Sequence, residues 1–245
     1  MTEITSVNNA RVKAWVSLQR KKNRDQEGLY LVEGRHMVIE ALDAGVAETV
    51  ITTQDTIYEN VECVHVSEAV MKKLALTVTP QPVMAVCRRM DNTMSWQEER
   101  YLLLDGVQDP GNLGTLLRTG LSFGFNHIIL SGNCVDVYND KVLRSTQGAV
   151  FRVHLVRMAL NEAITQLKAN GVRIIGTALE GASDIRTVST QGPLAVVMGN
   201  EGQGVSGKVL DVCDDLAYIP IQNMESLNVA VAAGIAMYVF SGKEG

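Results

Sequence analysis

Several features that would place a chain quickly are missing from this one. Nowhere in its 245 residues does an apolar run approach the ~20 residues that a membrane-spanning helix needs, so no membrane span is expected. Four cysteines, Cys63, Cys87, Cys134 and Cys213, lie far apart, without a CxxC pair and without histidines at finger spacing. That spacing excludes a disulfide framework or a zinc finger, points to scattered reduced thiols, and gives no reason to expect a metal. The N-terminal MTEITSVNNARVKAW lacks the charged start and apolar core of a secretory leader, so a cytoplasmic location is expected. Neither nucleotide fingerprint is present. The first strand of the larger half runs into GVQDPGNLGTLLR, and the glycine-rich GNEGQG follows a late strand and carries no Lys-Ser/Thr pair. An ordinary dinucleotide site and a Walker loop are both excluded.

What remains is a folded, soluble-type composition, 46% hydrophobic and 20% charged, at a length that suits a small and a medium domain. The net charge of -5 argues mildly against indiscriminate nucleic-acid binding, but its distribution matters more. Arg11, Lys13, Arg20, Lys21, Lys22 and Arg24 crowd residues 11–24 with no acid among them. Such a patch suits a phosphate backbone, and equally suits a solvated helix face with cations near its C-terminus. Residues 1–90 hold eleven basic and eleven acidic side chains, so the acidity comes from the remainder of the chain.

Periodicity divides the chain in two. Within 1–90 a helix over 6–23 precedes strands at Leu29–Glu33, Thr49–Thr53, Val61–Val66 and Met84–Cys87, with helices at Arg35–Ala44 and from Ser67 to Ala75. Residues 91–99 break the apolar pattern and read as a linker. From 100 to 245 the order is strand Tyr101–Leu104, helix Leu113–Phe123, strand His127–Leu130, helix Asp140–Thr146 and strand Val153–Val156. Helix Met158–Ala169, strands Val172–Thr177 and Leu194–Met198, a helical stretch Ser206–Cys213, strand Ile219–Ile221 and helix Ser226–Phe240 complete it. Strand–helix alternation of this kind predicts an α/β fold with a mostly parallel sheet covered on both faces. Late apolar strands emptying into polar or glycine-rich loops place a ligand crevice near 199–205 and 221–228.

Three blocks resemble the three motifs of the SpoU (TrmH-like) branch of the SPOUT family of RNA ribose 2'-O-methyltransferases. They are Asp109–Thr119 (DPGNLGTLLRT), Val196–Ser206 (VVMGNEGQGVS) and Ile219–Ala232 (IPIQNMESLNVAVA). Residues 26–35 and 77–86 resemble the ends of the L30e-like substrate-binding domain that often precedes the catalytic one, so the resemblance spans the whole chain. It implies a C-terminal α/β-knot, a deep trefoil, behind a smaller N-terminal L30e-like α/β domain. It also implies S-adenosylmethionine as cofactor, a homodimer with the active site near the subunit interface, and an RNA 2'-hydroxyl as methyl acceptor. The L30e-like segment leans the substrate toward ribosomal RNA. A tRNA-directed enzyme, and a catalytically silent RNA-binding or ribosome-assembly protein, are the alternatives.

Carried onto this sequence, the motifs assign Asn112, Arg118, Glu201, Ser226 and Asn228 to catalysis. Arg118 is expected to fork onto a phosphate or the target hydroxyl; a guanidinium is a poor resting base. Glu201 is assigned to orienting Arg118 and Asn228. Ser226 is expected to cap the last helix as well. Thr177, Ala178, Met198, Gly199, Asn200, Gly202, Ile219, Ile221 and Leu227 are expected around the cofactor. Arg35 joins the six basic residues of 11–24 as the expected RNA contacts. At two points the chain departs from the family pattern. Between IPI and SLN stand four residues, QNME, where relatives have five including a glycine, so Asn223 is expected to take the left-handed position. QP stands at 81–82 where relatives often have QG.

Overall fold

Short β-branched runs and well-capped helices build two units, which the computed structural model describes over residues 2–90 and 93–241. One unit is Met1–Asp91 together with Tyr138–Phe151; the other is Asn92–Val137 together with Arg152–Gly245. Asp91 and Asn92, which open the expected linker, and residues 1 and 242–245 at the expected domain ends lie outside the described residues.

The first unit is a mixed five-stranded sheet in the order β1-β4-β3-β5-β2, with β1 Thr2–Ile4, β2 Leu29–Glu33, β3 Ala47–Thr52, β4 Glu62–Val66 and β5 Val83–Arg88. Helices α1 Ala10–Ser17, α2 Lys21–Glu27, α3 Arg35–Asp43 and α4 Glu68–Leu74 start where polar side chains take free backbone donors. Asn9 caps α1 and Ser67 caps α4, as the sequence suggests for the latter. Trp15, Leu31, Ile51, Met71 and Leu74 meet in one buried core. Glu33 is also buried, and its carboxylate accepts from the Leu76 and Gln81 backbones at 2.7 and 2.9 Å and from the Thr77 hydroxyl at 2.8 Å. A buried carboxylate is tolerable only with such partners, and these pin the loop ahead of β5.

The helix expected over 6–23 is two helices. The break falls at Leu18–Arg20, where Nη1 of the buried Arg24 donates to the Leu18 and Gln19 carbonyls at 2.9 Å each, and Asn23 donates to the Ser17 carbonyl. Side-chain donors thus satisfy the carbonyls a continuing helix would have bonded. The same unit takes in α6 Asp140–Thr146. Tyr138 just before it lies 4.5 Å from the buried Tyr30 ring and under the Arg89 guanidinium at 4.7 Å.

The second unit is a parallel seven-stranded sheet, β10-β12-β9-β11-β6-β7-β8. Its strands are β6 Arg100–Leu104, β7 His127–Leu130, β8 His154–Arg157, β9 Arg173–Thr177, β10 Ser183–Asp184, β11 Leu194–Met198 and β12 Asp215–Tyr218. β11 is buried along its whole length, which is why it reads as a continuous apolar run rather than an alternating one. α5 Pro110–Phe123, α7 Leu160–Ala169, α8 Gly207–Leu210 and α9 Val229–Phe240 complete the unit. The last strand is displaced from its expected place: Ile219–Ile221 is loop, and β12 ends at Tyr218. Pro220 has no N–H for a central ladder, so pairing stops before it.

Candidate active site

All seven strands run the same way, so their carboxyl ends open on one edge, where ligand crevices of α/β sheets form. Four loops gather there, after β6, β9, β11 and β12. The loop after β11 doubles back tightly: Asn200 and Gly204 exchange both backbone hydrogen bonds at 2.9 Å. Gly199, at its base, lies against the Gly204–Val205 backbone so closely that a Cβ would overlap it. Only glycine fits there.

Glu201 stands at the tip of that turn and reaches the start of α5. Its carboxylate accepts from the Asp109 and Gln108 backbones at 3.0 and 3.3 Å, from Asn112 Nδ2 at 3.1 Å and from Asn200 Nδ2 at 3.4 Å. Partial burial pushes this carboxyl up, but the Asn112 amide and the backbone donors of Glu201, Asp109 and Gln108 outweigh it and hold it below the usual range. Asn112 Oδ1 in turn accepts from Asn228 Nδ2 at 2.9 Å. Asn228 Oδ1 accepts from the Ala230 and Val231 backbones at 2.9 and 3.3 Å and so caps α9. A directed chain of hydrogen bonds therefore runs from α9 through two amides to one carboxylate, joining residues from all three sequence blocks.

Beside this relay lies a cavity of about 490 Å³, within the range of small-molecule sites. Thr177, Ala178, Met198, Gly199, Asn200, Gly202, Ile219, Ile221 and Leu227 all line it, as do Glu201 and Ser226. Asn223 holds φ at 62°, the left-handed turn expected of it in the shortened loop.

Three expectations are corrected. Glu201 engages Asn112 directly and Asn228 through Asn112, while Arg118, on the exposed side of α5, has no side-chain hydrogen bond or ion pair among the described residues. Ser226 lines the cavity but does not cap the helix; Asn228, two residues on, does. Arg24 is buried and ties down carbonyls, so it has no face to offer RNA. Of the other basic residues, Arg11 is forked onto Glu62 at 2.8 and 2.5 Å and lies 5.0 Å over Trp15, and Lys21 pairs with Asp25 at 2.6 Å. Lys13, Arg20, Lys22 and Arg35 are exposed.

Sequence reasoning missed Leu179, Glu180 and Tyr218 in the cavity wall. Each adjoins a strand end, and that adjacency was the only signal for them. Glu225 lies inside the expected 221–228 crevice, but no role was assigned to it. The Gln108 and Asp109 backbone donors were missed too, because a backbone group leaves no mark in a sequence.

The family model described as the SpoU rRNA methylase family matches residues 99–238, and the MRM3-like substrate binding domain matches residues 9–85. The chain is 36% identical, over 99% of its length and all of the relative's, to the 23S rRNA (guanosine(2553)-2'-O)-methyltransferase RlmP of Bacillus subtilis. It is 32% identical, over 97% of its length and 93% of the relative's, to a tRNA/rRNA methyltransferase of Synechocystis. Among solved structures, the AdoMet-bound rRNA methyltransferase of Sinorhizobium meliloti superimposes with a TM-score of 0.88 at 32% identity, covering 98% of this chain and 97% of that one.

Proposed function

Because the chain belongs to the SpoU rRNA methylase family, with its knot-type α/β fold, we propose that it is an S-adenosylmethionine-dependent methyltransferase. Its substrate is the 2'-hydroxyl of a nucleotide in ribosomal RNA. The observation that carries this reading is the relay from Asn228 through Asn112 to Glu201, set beside the cavity.

The cavity residues fit the cofactor. Met198, Ile219, Ile221 and Leu227 supply apolar wall, and the cramped Gly199 brings backbone rather than side chain to the ligand. When bound, the cofactor supplies an electrophilic methyl group on a sulfonium. The chain's own residues fix the acceptor. Glu201 already receives four N–H donors, which fill the acceptor positions of a carboxylate, so it remains an anion that sets the Asn112 amide. With Oδ1 of Asn228 occupied by two helix donors, the relay's spare capacity is chiefly N–H, suited to holding an oxygen. Arg118, whose side chain has no partner among the described residues, adds electrostatic hold on a phosphate or on developing oxygen charge. Ser226, in the cavity wall, offers a hydroxyl contact.

RNA is held by the first unit through Lys13, Arg20, Lys22 and Arg35, with Arg11 and Lys21 contributing if RNA phosphate displaces their carboxylate partners. The working form is a homodimer through α5 and α9. Val231 and Tyr238 are 53% and 69% exposed on α9, and Phe123 of α5 meets Tyr238 edge-on at 5.9 Å. An aromatic patch of this kind suits burial against a second copy.

Mapping 2'-O-methylation in total RNA with and without the gene tests the function. One ribosomal site should disappear, return with the wild-type gene and stay absent with Asn112→Ala. Unchanged methylation at every site would leave an RNA-binding or assembly role in its place.

A further inference from the structure

The cavity wall is acidic and carries no compensating cation. Glu180, Glu201 and Glu225 line it, with no lysine, arginine or histidine among the lining residues. Glu201 is spent on its four donors. Glu180, just past β9, and Glu225, in the loop ahead of α9, are exposed, and neither side chain has a hydrogen-bond or ion-pair partner among the described residues. The first turn of α9 contributes Val229 and Ala232 to the same wall, and Asn228 already takes its Ala230 and Val231 N–H groups. Two unpaired carboxylates on the wall of one cavity keep its interior at negative potential, whichever way a ligand lies.

We propose that Glu180 and Glu225 are specificity-determining residues that read the charge on the bound sulfur, favouring the sulfonium cofactor over the neutral thioether left once its methyl is gone. The inference rests on the cofactor reading above. The two ligands differ by one methyl group and one unit of positive charge; the α-ammonium and α-carboxylate offset each other in both. Across a solvated cavity of this size each carboxylate contributes roughly threefold to affinity for the added charge, and the pair about tenfold. Attraction to the cation acts on the bound reactant and fades as the charge is neutralised, so it lowers KM rather than raising kcat. Its benefit is product exchange, because the spent ligand loses the attraction that held its precursor.

Titration calorimetry on the full chain tests this, with S-adenosylmethionine and S-adenosylhomocysteine as separate probes. In Glu180→Gln/Glu225→Gln, affinity for S-adenosylmethionine should fall about tenfold while that for S-adenosylhomocysteine stays within about twofold. Wild-type affinity for the sulfonium alone should weaken as salt is raised, a readout needing no variant. Equal losses for both ligands, no change for either, or equal salt dependence would overturn the charge-reading role and leave the cofactor reading intact. A wild-type chain that binds neither ligand would overturn the cofactor reading itself, and this inference with it.

Discussion

Asn228 Nδ2 donates to Asn112 Oδ1 across 2.9 Å, linking two residues 116 positions apart in the chain. Each amide has a second duty: Asn228 caps α9 and Asn112 donates to Glu201. The two duties of Asn228 can be separated. Asn228→Asp keeps a capping oxygen but replaces the donor toward Asn112 with a second acceptor. Stability should change by less than about 1 kcal/mol while methylation falls by at least about tenfold. Asn228→Ala should lose both, including about 1 kcal/mol of helix capping. Thermal unfolding beside single-turnover methylation of rRNA fragments would tell the two apart; wild-type activity in Asn228→Asp would deny the relay a role.

Gly199→Ala should be among the most damaging single substitutions in the chain. Its Cβ meets backbone of Gly204 and Val205 rather than a mobile side-chain end, so relief requires moving the whole turn that carries Glu201. A cost above about 3 kcal/mol is expected, seen as loss of soluble protein or a large fall in denaturation midpoint. Gly202→Ala, whose Cβ would meet only the Asn200 side chain at 3.6 Å, serves as the control.

His127 should give the second unit an acid-sensitive stability. Its ring stacks on His154 at 4.6 Å. Burial first, then the neighbouring His154, lower its pKa below the ordinary 6.5, against a weaker pull from Glu98. The unfolded chain therefore takes up a proton at a pH where the folded one does not. Stability is full above about 6.5 and declines as pH falls toward the lowered value, below which this group adds no further loss. The slope of Tm between pH 7 and 5 should be shallower in His127→Gln than in the wild type. Parallel curves would refute the assignment.

Arg24 and Lys22 are two positions apart and should behave oppositely. Arg24→Met removes the donors that hold the Leu18 and Gln19 carbonyls and should cost about 2 kcal/mol with little change in the salt dependence of RNA binding. Lys22→Ala should leave stability within about 0.5 kcal/mol. It should weaken RNA binding and reduce the slope of log affinity against log salt by about 0.7–0.9. A filter-binding series at several salt concentrations decides it.

The central strands of the second unit, β11 and its neighbours β6 and β9, were legible because they are largely buried on both faces and must be written in apolar letters. Two features of the cavity edge were legible because the shortened loop and the GNEGQG turn carry their geometry in residue type: Asn223 is left-handed and Gly199 has no room for a side chain. The break between α1 and α2 was hidden, since it depends on Arg24 folding back onto carbonyls, and an arginine in a basic run looks the same whether buried or exposed. The true cap of α9 was hidden for a related reason. Ser226 and Asn228 are both good capping residues, and the choice between them follows from the reach to Asn112, which no local pattern records.

The attachment of Tyr138–Phe151 to the first unit bears on how such a protein can be inherited. The chain passes between its units three times, near residue 91, after Val137 and before Arg152. A gene segment ending at residue 91 would leave Tyr30 and Arg89 without Tyr138, and a graft of everything after residue 91 would carry α6, a helix of the first unit, without the rest of that unit. Recombination at the obvious linker therefore yields two damaged halves rather than two modules. Descendants that keep this arrangement are expected to vary their RNA target by substitution within the substrate-binding unit, not by exchanging it.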